Sequence, residues 1–297
     1  MEHKNIGLYF YRGYYLNYFG ENGLLSLGEK KQQEVAAENN KKFTKFDDIS
    51  HNKYLKVNRI NLVQSITLKT TYPGLYTGSG YTFGAGLQGE FQLGFLFDHT
   101  TGLPYLPGSS VKGAIRSVFP NYDMANKSTD YKEERVDFIW TEYFKKMPAN
   151  CFTKNFNVDS DKKDVVVAEI ELEIFDGRNI TLEKDNQSKK KEVTEEYLSI
   201  YQRDIFYDVF ISATVKQGKT KDKFLGTDYI TPHRSATKNP TPLPFLKILP
   251  GVTVNFQFQL HDGYYLTAEG KKHLFRQILL DFGIGAKTNV GYGQFTQ

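Results

Sequence analysis

A single cysteine, Cys151, is all that the 297 residues contain. Intramolecular disulfides and cysteine-rich metal sites are therefore excluded, and a reducing cytosol is the default setting. Long apolar runs are missing as well: nothing approaches the ~20 residues of a membrane-spanning helix. The opening MEHKNIGLYFYRGYY has no small-residue cleavage site and no continuous apolar core, so a cytoplasmic protein without a membrane partner is expected. Charge of one sign is scarce, with a net charge of only +4. That permits a nucleic-acid partner but argues for one only weakly. The six histidines form no metal-spaced pair, no GxSxG elbow occurs, and Cys151 sits in no nucleophile motif. No metal and no cofactor is expected.

What the chain has in excess is aromatic: 20 Tyr and 23 Phe against one Trp. Such residues favour strands, and their flat faces also stack on single-stranded nucleic acid. Ile60, Leu62, Ile66 and Leu68 alternate with polar residues as a strand does, and so do Phe91, Leu93, Phe95 and Phe97. Between them YPGLYTGSGYTFGAGLQG (72–89) carries six glycines and no acid. Helices are expected over about 109–119, 131–147 and 267–282, and strands over 165–175, 204–215 and 251–260. Residues 21–50 read as a surface helix or arm, 184–192 as a solvated loop, and Pro232, Pro240, Pro242 and Pro244 as irregular backbone. The pattern is α+β, and two β-α-β halves fit a ferredoxin-like (RRM-like) sheet with helices on one face. No clean linker appears, so residues 58–297 are expected to form a single domain after an N-terminal polar and aromatic extension over 1–57.

Two constellations carry chemistry. In LPGSSVKGAIRS (106–117) Pro107 and Gly108 make a turn, and Ser109 or Ser110 is placed to cap a helix. Val111, Ala114, Ile115 and Val118 form its core stripe, so Lys112 and Arg116 share another face one turn apart. Free N–H groups, hydroxyls and two cations suit a phosphate or a nucleic-acid backbone, and Gly113 leaves room for close approach. The plain alternative is an ordinary capped helix with a solvated basic face. The second stretch, GIGAKTNVGYGQF (283–295), is no phosphate loop: Ala286 replaces the required glycine, and a helix precedes it where a strand should. Gly285, Gly291 and Gly293 suit backbone brought close to a ligand, with Lys287 for phosphate and Tyr292 for stacking. His233, beside Asp228 and Arg234, is a candidate general base, although a histidine near a proline is more often structural.

These segments resemble the RAMP superfamily of CRISPR proteins: PGSSVKGAIRS its helix motif, and GIGAKTNVGYGQF its C-terminal glycine-rich loop. GTDYITPHR followed by PTPLPFLKILPGVTVNF resembles the branch supplying the sixth RAMP subunit of the type III-B (Cmr) effector complex. The resemblance implies a RAMP fold with glycine-rich loops and peripheral insertions. It also implies binding of CRISPR guide RNA toward its 3′ end and support of the duplex with target RNA. The expected partners are other RAMP and small subunits of the Cmr complex. RNA contacts map onto Gly108, Ser109, Ser110, Lys112, Arg116, Gly285, Lys287 and Tyr292, and a thumb hairpin onto 216–228. Target cleavage in such complexes resembles metal-dependent scission by an aspartate in the glycine-rich loop after the first strand. The corresponding loop here, 72–89, has no acid; the first is Glu90. The expectation is therefore a non-catalytic RNA-binding subunit. A metal-independent guide-processing endoribonuclease using His233 stays open, as does a purely structural adaptor.

Overall fold

Alternation of apolar and polar residues along the chain sets the architecture. In β1 (Gln64–Thr70) Ile66, Leu68 and Thr70 are buried while Ser65, Thr67 and Lys69 are exposed. In β10 (Thr253–Gln259) Val254, Phe256 and Phe258 are buried. The two strands pair antiparallel with Ile66 opposite Phe256 and Leu68 opposite Val254, which puts both apolar rows on one face. The computed structural model describes residues 6–16, 18, 23–43, 63–77, 90–91, 96–121, 130–157, 162–184, 191–213, 223–230 and 242–297.

Five more strands complete the main sheet: β2 (Leu96–Phe97), β3 (Pro104–Leu106), β6 (Ile205–Phe206), β7 (Val209–Ala213) and β11 (Phe295–Thr296). Among the described residues the order is β11–β1–β10–β7–β3–β2, with β6 also beside β10 and every pairing antiparallel. Helices α3 (Gly108–Arg116), α5 (Lys163–Asp176) and α6 (Ala268–Phe282) send Val111, Ile115, Phe175, Leu274, Phe275 and Ile278 into the core under the apolar face. Phe275 packs on both Phe206 (5.4 Å between ring centroids) and Phe258 (5.3 Å). Thr267 caps α6 by accepting from the Gly270 N–H at 3.0 Å.

The N-terminal segment joins the same core. From α1 (Ile6–Tyr11) Ile6, Tyr9 and Phe10 are buried, followed by Tyr14 and Tyr18. Tyr14 ties three pieces together: its hydroxyl donates to Asn40 of α2 (Glu29–Phe43) at 2.8 Å and accepts from the Phe91 N–H at 3.3 Å. The buried carboxyl of Glu90 faces Tyr15, and burial together with that charge holds the Tyr15 phenol well above its ordinary range. The polar arm expected over 21–50 is a helix over 29–43.

The segment expected as a strand over 165–175 is instead helix α5, ended by Gly177 in the left-handed region at φ 62°. Its alternating glutamates imitate a solvent-facing row, but Glu171 and Glu173 are buried, each beside a cation. With polar positions also inside, periodicity cannot separate helix from strand. Two hairpins escaped the sequence reading. β4 (Arg178–Lys184) pairs with β5 (Lys191–Tyr197) along its whole length, so both ends of the expected loop 184–192 are strand. β8 (Leu225–Ile230) pairs with β9 (Leu243–Ile248), and Pro244 sits within β9 opposite Tyr229. At Pro244 no third strand pairs with β9 among the described residues, and an edge position of that kind tolerates proline. Residues 225–228 of the expected thumb belong to β8; residues 216–222 lie outside the described residues. After α4 (Asp130–Phe138) the expected second helix continues as a π turn over Ile139–Tyr143, burying Ile139, Trp140 and Tyr143. No helix among the described residues is long and apolar enough to cross a membrane.

Candidate nucleic-acid interface

Helix α3 starts on a seat made by the β6–β7 connection. A Cβ on Gly108 would lie 2.1 Å from the Phe206 carbonyl oxygen, so only glycine allows the helix to approach that strand. The Gly108 N–H donates to Asp208 Oδ1 at 2.8 Å. Here the serine-cap expectation is corrected: Pro107 occupies the cap position, no side chain caps the helix locally, and an aspartate a hundred residues away satisfies the first N–H. Ser109 and Ser110 are exposed. The core stripe is as read, with Val111 and Ile115 fully buried and Ala114 half-buried. Around Gly113 there is open space: an added Cβ would meet nothing within 4 Å.

Lys112 and Arg116 share a face but not a fate. Lys112 is half-buried, with its ammonium 5.9 Å from the centre of the Phe206 ring, and forms no ion pair among the described residues. Burial lowers its pKa, with Arg116 and Arg203 adding to the effect and Asp176 and Asp204 opposing it. Arg116 instead spends its fork on Asp176, with two hydrogen bonds of 2.8 and 2.9 Å, and brings Nε to 3.6 Å from Glu171. Arg178 reaches the same Asp176 at 3.3 Å. Burial alone would raise the Asp176 carboxyl, but the two guanidinium groups hold it below its ordinary range.

The C-terminal glycine loop is closed on the protein itself. The Ile284 N–H donates to Gly293 O (2.9 Å), Gly293 N–H to Gly74 O and Ala286 N–H to Tyr76 O (both 2.8 Å). A Cβ at Gly293 would stand 1.9 Å from Ile284 O, and one at Gly285 2.4 Å from Tyr76 O. Both residues have positive φ, 70° and 105°. The close approach expected of this loop is therefore an approach to the backbone of the first glycine-rich segment, of which residues 78–89 lie outside the described residues. Tyr292 is enclosed with Tyr76 and Phe245. Its hydroxyl donates to Asp228 Oδ2 at 2.7 Å, and Lys247 lies 5.8 Å over its ring while pairing with Asp228 at 2.6 Å. Burial, then the Asp228 bond, holds the Tyr292 phenol well above its usual range. Lys287 stands at φ 62°, half-buried and without an ion pair among the described residues.

The structure thus brings Gly108, Ser109, Ser110, Lys112 and Arg116 together on α3, and Gly285, Lys287 and Tyr292 in the loop after α6. His233 and Arg234 lie outside the described residues. Among the described residues no group of three or more metal-ligating side chains converges. Sequence reading missed the partners that decide each role: Asp176, Asp208, Asp228 and Lys247. It also missed the buried triad of Lys271 with Asp204 (2.8 Å) and Glu173 (2.9 Å). No spacing signal announces these, because each pairs across 19 to 100 residues of chain.

No curated protein matches the chain. Among solved structures it is similar to a cryo-EM structure of the type III-B Cmr-beta bound to cognate target RNA. That match has a TM-score of 0.49 at 20% identity, covering 95% of this chain and 78% of that one. It is also similar to the crystal structure of Cmr6 from Pyrococcus furiosus, with a TM-score of 0.38 at 19% identity over 80% and 99% of the two chains. A type IV-B CRISPR complex matches with a TM-score of 0.40 at 12% identity, over 79% and 88%. A sequence model of the RAMP superfamily matches residues 67–296, which span the first strand, helix α3 and the closing glycine loop, and the chain belongs to that superfamily.

Proposed function

We propose that this RAMP protein is a non-catalytic RNA-binding subunit of a type III-B CRISPR RNA-guided interference complex. It holds the guide RNA toward its 3′ end and supports the guide–target duplex. Sequence is then read by pairing between the RNAs, while the protein meets backbone. The observation that carries the reading is the open start of α3: exposed Ser109 and Ser110, a lysine without an acidic partner among the described residues, and clear space at Gly113. Lys112 and Lys287 are the phosphate contacts. Gly108, Arg116, Gly285 and Tyr292 shape the surface that presents them, since each is committed to a protein partner.

The fold behind this reading is a ferredoxin-like core. Taking β1, α3, β7, β10, α6 and β11 as β-α-β-β-α-β, the order β11–β1–β10–β7 is the arrangement such a core requires. Residues 58–297 form that domain with its insertions, and residues 1–57 are an extension. The expected setting is the cytoplasm, among other RAMP and small subunits. Cleavage is assigned elsewhere in the complex because segment 72–89 carries no carboxylate to hold a metal or orient a hydroxyl. The endoribonuclease alternative rests on His233 alone, and no described residue adds to it.

The test is purification of the chain with its native partners, followed by recovery and sequencing of the bound RNA. Lys112→Ala lowers affinity for many sequences alike and reduces the slope of log K against log salt by ~0.7, one single-strand phosphate contact. RNA retention identical to wild type removes Lys112 from the interface. Specific cuts in repeat RNA made in chelator and abolished by His233→Ala replace this reading with the endoribonuclease.

A further inference from the structure

Next to α3 lies a second feature that no motif announces. Helix α5 ends at Asp176–Gly177, and strand β4 leaves at Arg178. Arg203 folds its side chain over Gly177: a Cβ there would sit 2.8 to 2.9 Å from Arg203 Cδ, Cγ and Nε. Its Nε donates to Leu198 O at 2.9 Å, and the Leu198 N–H donates to Gly177 O at 2.8 Å. The turn over 198–203 is thereby pinned to the end of α5, with further bonds from the Gln202 N–H to Ser199 O (2.9 Å) and from the Tyr201 N–H to Ser199 Oγ (3.4 Å). Arg116 and Arg178 both bond Asp176, and Lys112 feels the charges of Asp176 and of Arg203. Asp204 and Glu173 pair with Lys271, and Glu171 with Arg116.

This pinned turn displays large side chains to solvent. Tyr197 is 66% exposed, Ile200 67% and Tyr201 80%. Tyr197 stands directly opposite Arg178 in the β4–β5 register, close enough for cross-strand contact. Single exposed apolar residues are ordinary. Three within five residues, on a turn bonded at both ends beside Arg178 and Arg203, are not. Protein–protein interfaces also use Tyr and Arg, but aromatic faces beside cations are what hold single-stranded nucleic acid, and this turn offers Tyr197 opposite Arg178 and Tyr201 beside Arg203.

We infer that the 197–203 turn is a stacking platform for unpaired RNA bases, with Arg203 and Lys112 meeting the phosphates that lead from it to the start of α3. The inference rests on the RNA-binding reading above and adds the residues that would hold the bases.

The probe is a labelled oligouridylate titrated against the full chain by fluorescence anisotropy at several salt concentrations. Tyr201→Ala weakens binding about tenfold, within the range for one lost base stack, while Tyr201→Phe keeps it. Arg203→Gln lowers the salt slope by ~0.7 and Arg203→Lys restores it. Urea midpoints equal to wild type show that each variant folds. If Tyr201→Ala and Arg203→Gln bind as wild type while Lys112→Ala does not, the platform is wrong and the α3 reading stands. If none of the three changes binding, or the wild-type chain binds no oligouridylate, both fall. Loss of a protein subunit from the purified complex with RNA affinity intact assigns the turn to a protein partner and overturns the platform.

Discussion

Replacing Arg116 by alanine separates a cation that holds the fold from one that holds RNA. Two terms set the expected loss. The Arg116–Asp176 pair has good bidentate geometry, but its side chains are 31% and 22% exposed, and solvent screening limits such a pair to ~1 kcal/mol. The Glu171 side chain is fully buried, with Arg116 Nε 3.6 Å away. Removing that cation takes away a charge that offsets the burial of this acid, at ~1–3 kcal/mol. Arg116→Ala should therefore cost ~2–4 kcal/mol in all. Lys112→Ala, which breaks no ion pair among the described residues, should stay within ~0.5 kcal/mol of wild type. Urea unfolding followed by the fluorescence of Trp140, the only tryptophan and 1% exposed, gives both values. Adding Glu171→Gln to Arg116→Ala should recover ~1 kcal/mol, because the buried charge that Arg116 offsets goes with it. An Arg116→Ala chain as stable as wild type that nonetheless loses RNA would refute the reasoning, and would return Arg116 to direct contact.

Three further perturbations probe the interface and the core beneath it. Gly293→Ala should cost ~2 kcal/mol or more, since it forces a side chain into the left-handed region and against Ile284 O. Gly113→Ala, helical and facing open space, should gain ~0.5–1 kcal/mol; thermal midpoints moving the opposite way would show the geometry is wrong. Lys271→Ala should cost ~3–5 kcal/mol by leaving Asp204 and Glu173 buried without their cation. Burial already raises the Asp204 pKa against the pull of Lys271, and without that lysine it rises further. A carboxyl raised in the folded state contributes stability at low pH that is lost as pH climbs through its folded value. The Lys271→Ala deficit should accordingly shrink as pH falls toward that raised value, and a constant deficit would mean that Asp204 stays charged.

Much of the fold was legible where one face of an element is wet. Strands β1 and β10 and helix α6 alternate or repeat with clear periods because polar residues really do face solvent on one side. The rule failed on α5, and for a physical reason: Glu171 and Glu173 are interior, so the polar positions report ion pairing with Arg116 and Lys271 rather than exposure. The β8–β9 hairpin was hidden by Pro244, which reads as a breaker until its place in a two-stranded ribbon is known. The helix start was legible from Pro-Gly to within a residue, but the partner of its first N–H, Asp208, comes from the β6–β7 connection.

The candidate site shows the same limit more sharply. Spacing alone correctly puts Lys112 and Arg116 one turn apart on a single face of α3, and spacing treats them as equals. What separates them is Asp176, sixty residues away at the C-terminal end of α5, just before the left-handed Gly177. That one carboxylate draws Arg116 inward and leaves Lys112 toward the open helix start. The same Gly177 seats Arg203 and so fixes the turn that carries Tyr201. A glycine on no motif therefore stands between the carboxylate that holds Arg116 and the surface proposed to hold RNA. Gly177→Ala should accordingly disturb stability and RNA affinity together, whereas Lys112→Ala touches affinity alone.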